Sequence, residues 1–133
     1  MYSQVTEGIL CGTDQGTISL FGSASFGTQR LRKIWQLPPS GNLSGGDIAG
    51  RGVTALKLFD LTNDGVSELI AGRDDGTVTV RHGFHGTLNT TPKEAFCMNV
   101  GQSVRSLEAG RVSGDKQPEV VACTFRGRVC SLK

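Results

Sequence analysis

The sequence is poor in aromatic residues, with one Trp, one Tyr and six Phe, and it holds only four Pro. No run approaches the roughly 18 consecutive apolar residues that a membrane-spanning helix requires, so direct membrane insertion is not expected. The opening MYSQVTEGIL lacks the basic start and apolar core of a secretory signal. Charge is also sparse: Asp, Glu, Lys and Arg make up 20% of the chain and the net charge is +2, too small to imply a nucleic-acid partner. The one local basic cluster, Arg30-Leu31-Arg32-Lys33, reads as charge on an outer strand that discourages edge-to-edge pairing. Together these absences describe a globular chain working in the cytosol.

The four cysteines, Cys11, Cys97, Cys123 and Cys130, show no C-x-x-C spacing. An even count permits two disulfides, but a cytosolic setting favours reduced thiols, and small apolar neighbours favour burying them. A zinc site would have to use His82, His85 and Cys97; the histidines stand beside Gly83 and Gly86 at an expected strand end, and the reading here is without zinc. The glycine-rich PPSGNLSGGDIAGRG, from Pro38 to Gly52, has no Gly-Lys-Ser/Thr and no helical pattern after it, so it reads as a connection and not a phosphate loop. No cofactor is expected.

What the sequence does hold is repetition. The stretch from Val53 to Arg81, VTALKLFDLTNDGVSELIAGRDDGTVTVR, has two turn signals, Asn63-Asp64-Gly65 and Asp74-Asp75-Gly76, between short apolar runs. Three strands joined by two tight turns follow from that spelling. At an offset of 51 the same pattern returns, with seven identities: Val53 and Val104, Leu56 and Leu107, Asp64 and Asp115, Glu68 and Glu119, Ala71 and Ala122, Gly76 and Gly127, Val78 and Val129. A shorter copy, Gly8 to Ile18, matches the half around Gly72 and Gly76 at an offset of 60.

Repeats of this period built wholly from strands are propeller blades. The expected fold is all-β: a partial β-propeller of about two and a half to three antiparallel blades, a fragment of a larger propeller, filling residues 1–133 with units at about 4–37, 53–100 and 103–133. Lettered from the axis outward, the central blade reads A from Val53 to Asp60, B from Val66 to Gly72, C from Thr77 to about Phe84 and D around Lys93 to Val100. The first unit supplies B (Val5 to Gly12), C (Thr17 to Phe21) and D (Gln29 to Leu37); Trp35 on D reads as packing between blades and not as a ligand platform. Each B–C turn ends on Gly16, Gly76 or Gly127, where φ above zero is expected. Such an arc exposes apolar inter-blade faces and an edge strand near Arg128 to Lys133, so the isolated chain is expected to self-associate.

The motif with chemical content is Asp60-Leu61-Thr62-Asn63-Asp64-Gly65-Val66-Ser67-Glu68, which resembles the calcium loops of integrin-type propellers, where alternating oxygens converge on a hard cation. Thr62 removes one charge, and the next unit has Arg111, Ser113, Asp115 and Lys116 at the corresponding places. The expectation is no bound metal, with Asp60, Asp64 and Glu68 as the residues that would hold one; the other reading is a turn whose Asp64 and Asp115 cap their own backbone. No Ser or Cys stands in a nucleophile context and no carboxylate pair flanks a cleft, so no catalytic residue is assigned.

The runs GVTALKLFDLTNDGVSELIAGRDDGTVTV and VGQSVRSLEAGRVSGDKQPEVVACTFRGRVCSL resemble the late blades of the N-terminal β-propeller of the Bardet-Biedl syndrome protein seven family, and EGILCGTDQGTISLF is similar to the blade before them. Gly72 to Gly76, Glu119 to Val121 and Gly127 to Val129 are the most specific part. The resemblance implies a subunit of the BBSome, a cytosolic coat-like complex that carries membrane proteins into and out of cilia. It implies location in the cytoplasm and at the cilium, basal body and ciliary membrane periphery, partners among BBSome subunits and ciliary cargo, and a scaffold without enzymatic activity. An integrin-like calcium-binding adhesion module is the alternative.

Overall fold

The computed structural model describes residues 8–23, 31–38, 52–84, 91–111 and 117–132. They form β1 (Ile9–Gly12), β2 (Ile18–Ser23), β3 (Leu31–Leu37), β4 (Val53–Phe59), β5 (Glu68–Arg73), β6 (Thr77–His82), β7 (Lys93–Asn99), β8 (Val104–Gly110), β9 (Glu119–Thr124) and β10 (Val129–Leu132). Strands follow chain order in three antiparallel sheets: β1-β2-β3, β4-β5-β6-β7 and β8-β9-β10. No helix occurs among the described residues, and none is therefore long and apolar enough to cross a membrane.

The three sheets repeat down to their irregularities. The β2–β3 register slips between Leu20 and Phe21 and the β6–β7 register between Val80 and Arg81, sites related by the offset of 60. The β4–β5 slip between Val53 and Ala55 recurs at the offset of 51, between Val104 and Ser106. A bulge bends its strand and adds twist, so the first and second sheets share one bend and the second and third share another. The B–C turns repeat as well. Gly16, Gly76 and Gly127 all take positive φ (95°, 92° and 88°), as their place in the turn predicts.

Side chains alternate between the two faces of each sheet, and among the described residues the central sheet packs one face against the first sheet and the other against the third. Ile18, Leu20, Trp35 and Leu37 of the first sheet meet Leu69, Ala71 and Phe84 of the second. Ile70, Val78 and Val80 on the second sheet's other face meet Val104, Leu107, Val120, Ala122 and Leu132 of the third. This explains β5, buried at all six residues: it lies inside its sheet and between two others, so it reads Leu-Ile-Ala without alternation. Outermost β7 is exposed along its whole length.

Successive sheets are locked by a peg and socket. A Cβ built on Gly12 would lie 2.4 Å from Val53 Cγ1, and one on Gly72 would lie 2.5 Å from Val104 Cγ1. Only glycine leaves room for the first residue of the next inner strand. Trp35 is 6% exposed and meets Phe84 edge to face, with centroids 6.0 Å apart, which places it between blades as expected.

Two expectations need correction. The segment around Asn63-Asp64-Gly65 is not a tight turn: β4 ends at Phe59 and β5 begins at Glu68, leaving a loop over 60–67 because Glu68 is drawn inward and its carboxylate organises the loop. Cys11 and Cys97 are exposed and not packed. Cys11 aligns with Ala71, whose burial comes from the sheet before it, and no described sheet covers that face of β1; Cys97 rides on the outermost strand. Cys123 and Cys130 are half-buried free thiols. Val5, Gln29, Arg30, His85, Ser113, Asp115, Lys116, Lys133 and most of the 38–52 connection lie outside the described residues.

Candidate functional site

The loop over 60–67 is the most polar construction in the central blade. Asn63 has a positive φ of 61° and Gly65 one of 86°, and the two left-handed residues curl the chain around Asp60. Asp60 Oδ1 accepts the Asp64 N–H at 3.2 Å and its Oδ2 accepts the Gly65 N–H at 2.8 Å. Asp64 Oδ1 accepts the Val66 N–H at 2.9 Å. That bond, and then the Thr62 hydroxyl, hold the Asp64 carboxyl below the usual carboxylate range.

Glu68 is 1% exposed at the start of β5. A buried carboxylate is tolerated only when its oxygens are satisfied. Its Oε1 accepts the Leu61 N–H at 2.6 Å and the Thr62 N–H at 3.2 Å, while Oε2 faces His82 Nδ1 at 3.3 Å. Glu68 thus pins the far end of the loop to the sheet. Glu119, at the matching place in the third sheet, is 2% exposed and accepts a hydrogen bond from the Ser131 hydroxyl at 2.5 Å.

The structure brings Asp60, Asp64 and Glu68 together, with one carboxylate oxygen from each within 4.8 Å of the others. It is the only such group of three or more potential ligands among the described residues. Hard oxygens at that spacing suit a hard cation, and every one of these carboxylates also accepts a main-chain N–H. Of the sister positions Arg111, Ser113, Asp115 and Lys116 only Arg111 is described, and it is exposed. His82 lies against Glu68 and not against Cys97. Between the second and third sheets an apolar cleft of about 270 Å³, lined by Leu61, Val80, Phe96, Val120 and Leu132 among others, carries no titratable side chain.

The remaining contacts are structural and link blades. Arg73, 2% exposed, reaches from the second sheet to the first, its Nη1 donating to the Gly16 carbonyl at 2.8 Å. The Val53 N–H donates to the Thr13 carbonyl at 2.8 Å, and Lys57 meets Glu108 at 2.7 Å between neighbouring inner strands. Sequence reasoning missed Arg73: its counterparts in the other turns are Thr13 and Thr124, and a lone Arg beside two Asp reads as surface. The signal available was its place at the end of the most buried strand.

Three meandering sheets with repeated bulges, glycine turns and glycine sockets define a β-propeller segment whose described polar sites serve the backbone. A family model described as the BBS7 beta-propeller matches residues 2–133. The chain belongs to the BBS7 β-propeller family. It is 31% identical over 126 residues to a mouse protein described as "BBSome complex member BBS7", an alignment that covers 95% of this chain and 16% of the mouse protein.

Proposed function

We propose that this chain is a non-enzymatic protein-interaction scaffold, the propeller segment of a BBSome subunit that serves ciliary membrane-protein traffic. Its partners are other BBSome subunits and ciliary cargo, and its place of work is the cytoplasm, cilium, basal body and ciliary membrane periphery. The observation that carries this reading is the family match across residues 2–133. The chain corresponds to 16% of the mouse relative, so the assembly belongs to the longer protein. The physical record supports a scaffold: the cleft between sheets is apolar and the buried carboxylates Glu68 and Glu119 hold loop and strand in place. The calcium-binding adhesion module gains no support from the family match. In isolation, the chain presents Ile9 at 49% exposure on β1 and Val129 at 65% on β10, and these apolar edges are where copies self-associate.

The test is affinity purification of the tagged full-length parent from ciliated cells, followed by mass spectrometry. BBSome subunits should co-purify in stoichiometric amounts. Recovery of the parent alone, or hydrolytic or redox turnover by the purified parent, overturns the reading.

A further inference from the structure

The three B–C turns lie at one end of the array and share a backbone but not a surface. They read Thr13-Asp14-Gln15-Gly16, Arg73-Asp74-Asp75-Gly76 and Thr124-Phe125-Arg126-Gly127. Where the first two sheets place carboxylates, the third places an aromatic ring and a guanidinium. Phe125 is 72% exposed, above any other exposed large apolar side chain described. The Arg105 guanidinium on β8 stands 5.9 Å from the Phe125 ring centroid, within cation–π range. Arg126 and Arg128 flank it, and all three arginines are exposed with no carboxylate partner among the described residues.

The frame beneath this corner is tied together by hydrogen bonds. The Phe125 N–H donates to the Ser103 carbonyl at 2.9 Å, the Thr124 N–H to the Arg128 carbonyl at 2.8 Å, and the Gly127 N–H to the Thr124 carbonyl at 3.0 Å. Thr124, 1% exposed, accepts the Arg128 N–H at 3.0 Å on its hydroxyl and donates that hydroxyl to Gln102 Oε1 at 2.6 Å. A ring held mostly in water by so ordered a turn gains little for folding. Pre-organised aromatic and arginine side chains are the ordinary composition of a binding hot spot.

We propose that the corner formed by Arg105, Phe125, Arg126 and Arg128 docks a short acidic segment of a partner protein. Carboxylates of the segment meet the three guanidiniums, and an apolar side chain of the segment lies on Phe125. Charge complementarity selects the occupant. A long polyanion or an anionic bilayer would spread over Asp14, Asp74 and Asp75 at the same end of the neighbouring sheets and be repelled, whereas a short peptide touches the third sheet alone. The proposal rests on the scaffold reading only in taking the partner to be a protein.

Fluorescence anisotropy tests it, with the 133-residue chain and a fluorescein-labelled peptide of alternating Asp and Leu, beside a Lys–Leu counterpart, phosphatidylserine vesicles and single-stranded DNA. The acidic peptide should bind, more weakly as salt rises, and the Lys–Leu peptide should not. The double variant R105E/R126E should weaken binding by about tenfold or more, and Phe125→Ala by about threefold to tenfold, while Arg126→Lys keeps it. All these positions are exposed, and an unchanged Tm identifies a folded variant; Phe125→Ala decides the matter if the charge reversal fails to fold. Equal binding of both peptides, indifference to R105E/R126E and Phe125→Ala, or preference for vesicles or DNA overturns the proposal. Loss of peptide binding leaves co-purification of the full-length parent untouched, so the two failures are distinguishable.

Discussion

The two interfaces between consecutive sheets are built on one plan and finished differently. By strand register Trp35 stands opposite Leu20 and Phe96 opposite Val80, and Leu20 and Val80 are related by the repeat offset. Yet Trp35 is 6% exposed and Phe96 is 39% exposed, with an open apolar cleft beside it. The difference lies in what the next sheet offers. Phe84, just past β6, closes over Trp35 edge to face, and no described residue of the third sheet takes that part for Phe96. Inner strands are secured by the sheet itself; an outer strand is secured only when a large side chain of the following blade reaches it.

That contrast breaks first at the two aromatics. Trp35→Ala should destabilise by about 3–5 kcal/mol, as large core truncations do, and Phe96→Ala by less than about 1.5 kcal/mol, in line with the area it keeps in water. Urea denaturation of both variants measures the gap; equal losses would mean the two interfaces are energetically alike. Next come two turn glycines with the same φ and different surroundings. A Cβ on Gly76 would lie 2.9 Å from Asn99 Oδ1 and from the Gln102 carbonyl, while one on Gly127 meets nothing within 4 Å. Gly76→Val therefore adds overpacking of about 1–3 kcal/mol to a strain of about 1–3 kcal/mol, and Gly127→Val carries the strain alone. If Gly127→Val melts as low as Gly76→Val, backbone conformation and not crowding sets the cost.

Thiol reactivity sharpens the comparison in a different quantity. Alkylation of the native chain should label Cys11 fastest. Cys97 should lag behind its exposure, because burial and then Glu94 and Asp75 push its pKa up and keep it as the thiol. Cys123 and Cys130 should follow only on denaturation; uniform labelling would mean the sheets open readily. A smaller effect attaches to the Lys57–Glu108 pair between inner strands. Its hydrogen bond from Lys57 holds the Glu108 carboxyl below its ordinary value of 4.5. A lowered folded pKa stabilises above the unfolded pKa, and that contribution is lost as pH falls through the folded value. The Tm difference between the parent and Glu108→Gln should thus be small at neutral pH and vanish in acid; a difference that grows in acid reverses the sign. Least of all is expected from metal: EDTA or millimolar calcium should leave Tm in place, since the loop over 60–67 closes on its own hydrogen bonds. A rise of several degrees with calcium would show Asp60, Asp64 and Glu68 acting as ligands.

Much of this was legible because it is local. Gly76 and Gly127 announce their turns through a backbone conformation that a neighbouring residue cannot change, and the apolar runs of β5 and β9 announce strands. The loop over 60–67 misleads for a reason of range: Asn63-Asp64-Gly65 is spelled as a tight turn, but Glu68 draws the strand start inward through bonds to Leu61 and Thr62. Cys11 misleads for another. The alignment gives it the position of Ala71, and position within a blade does not tell whether another blade lies against it. Arg73 combines both failures, since its partner, the Gly16 carbonyl, is far off in sequence and belongs to another sheet.

The glycine sockets carry a consequence for the geometry of the whole arc. Val53 seats on Gly12 and Val104 seats on Gly72 in the same way, although the connections that deliver the two valines differ in length. The closest approach of consecutive inner strands is therefore set by a contact the size of one methyl group, and the connecting segments merely have to be long enough to reach. Curvature in this segment is a property handed from blade to blade at the inner strands, which leaves the linkers free to lengthen, shorten or acquire new sequence without changing how consecutive sheets meet.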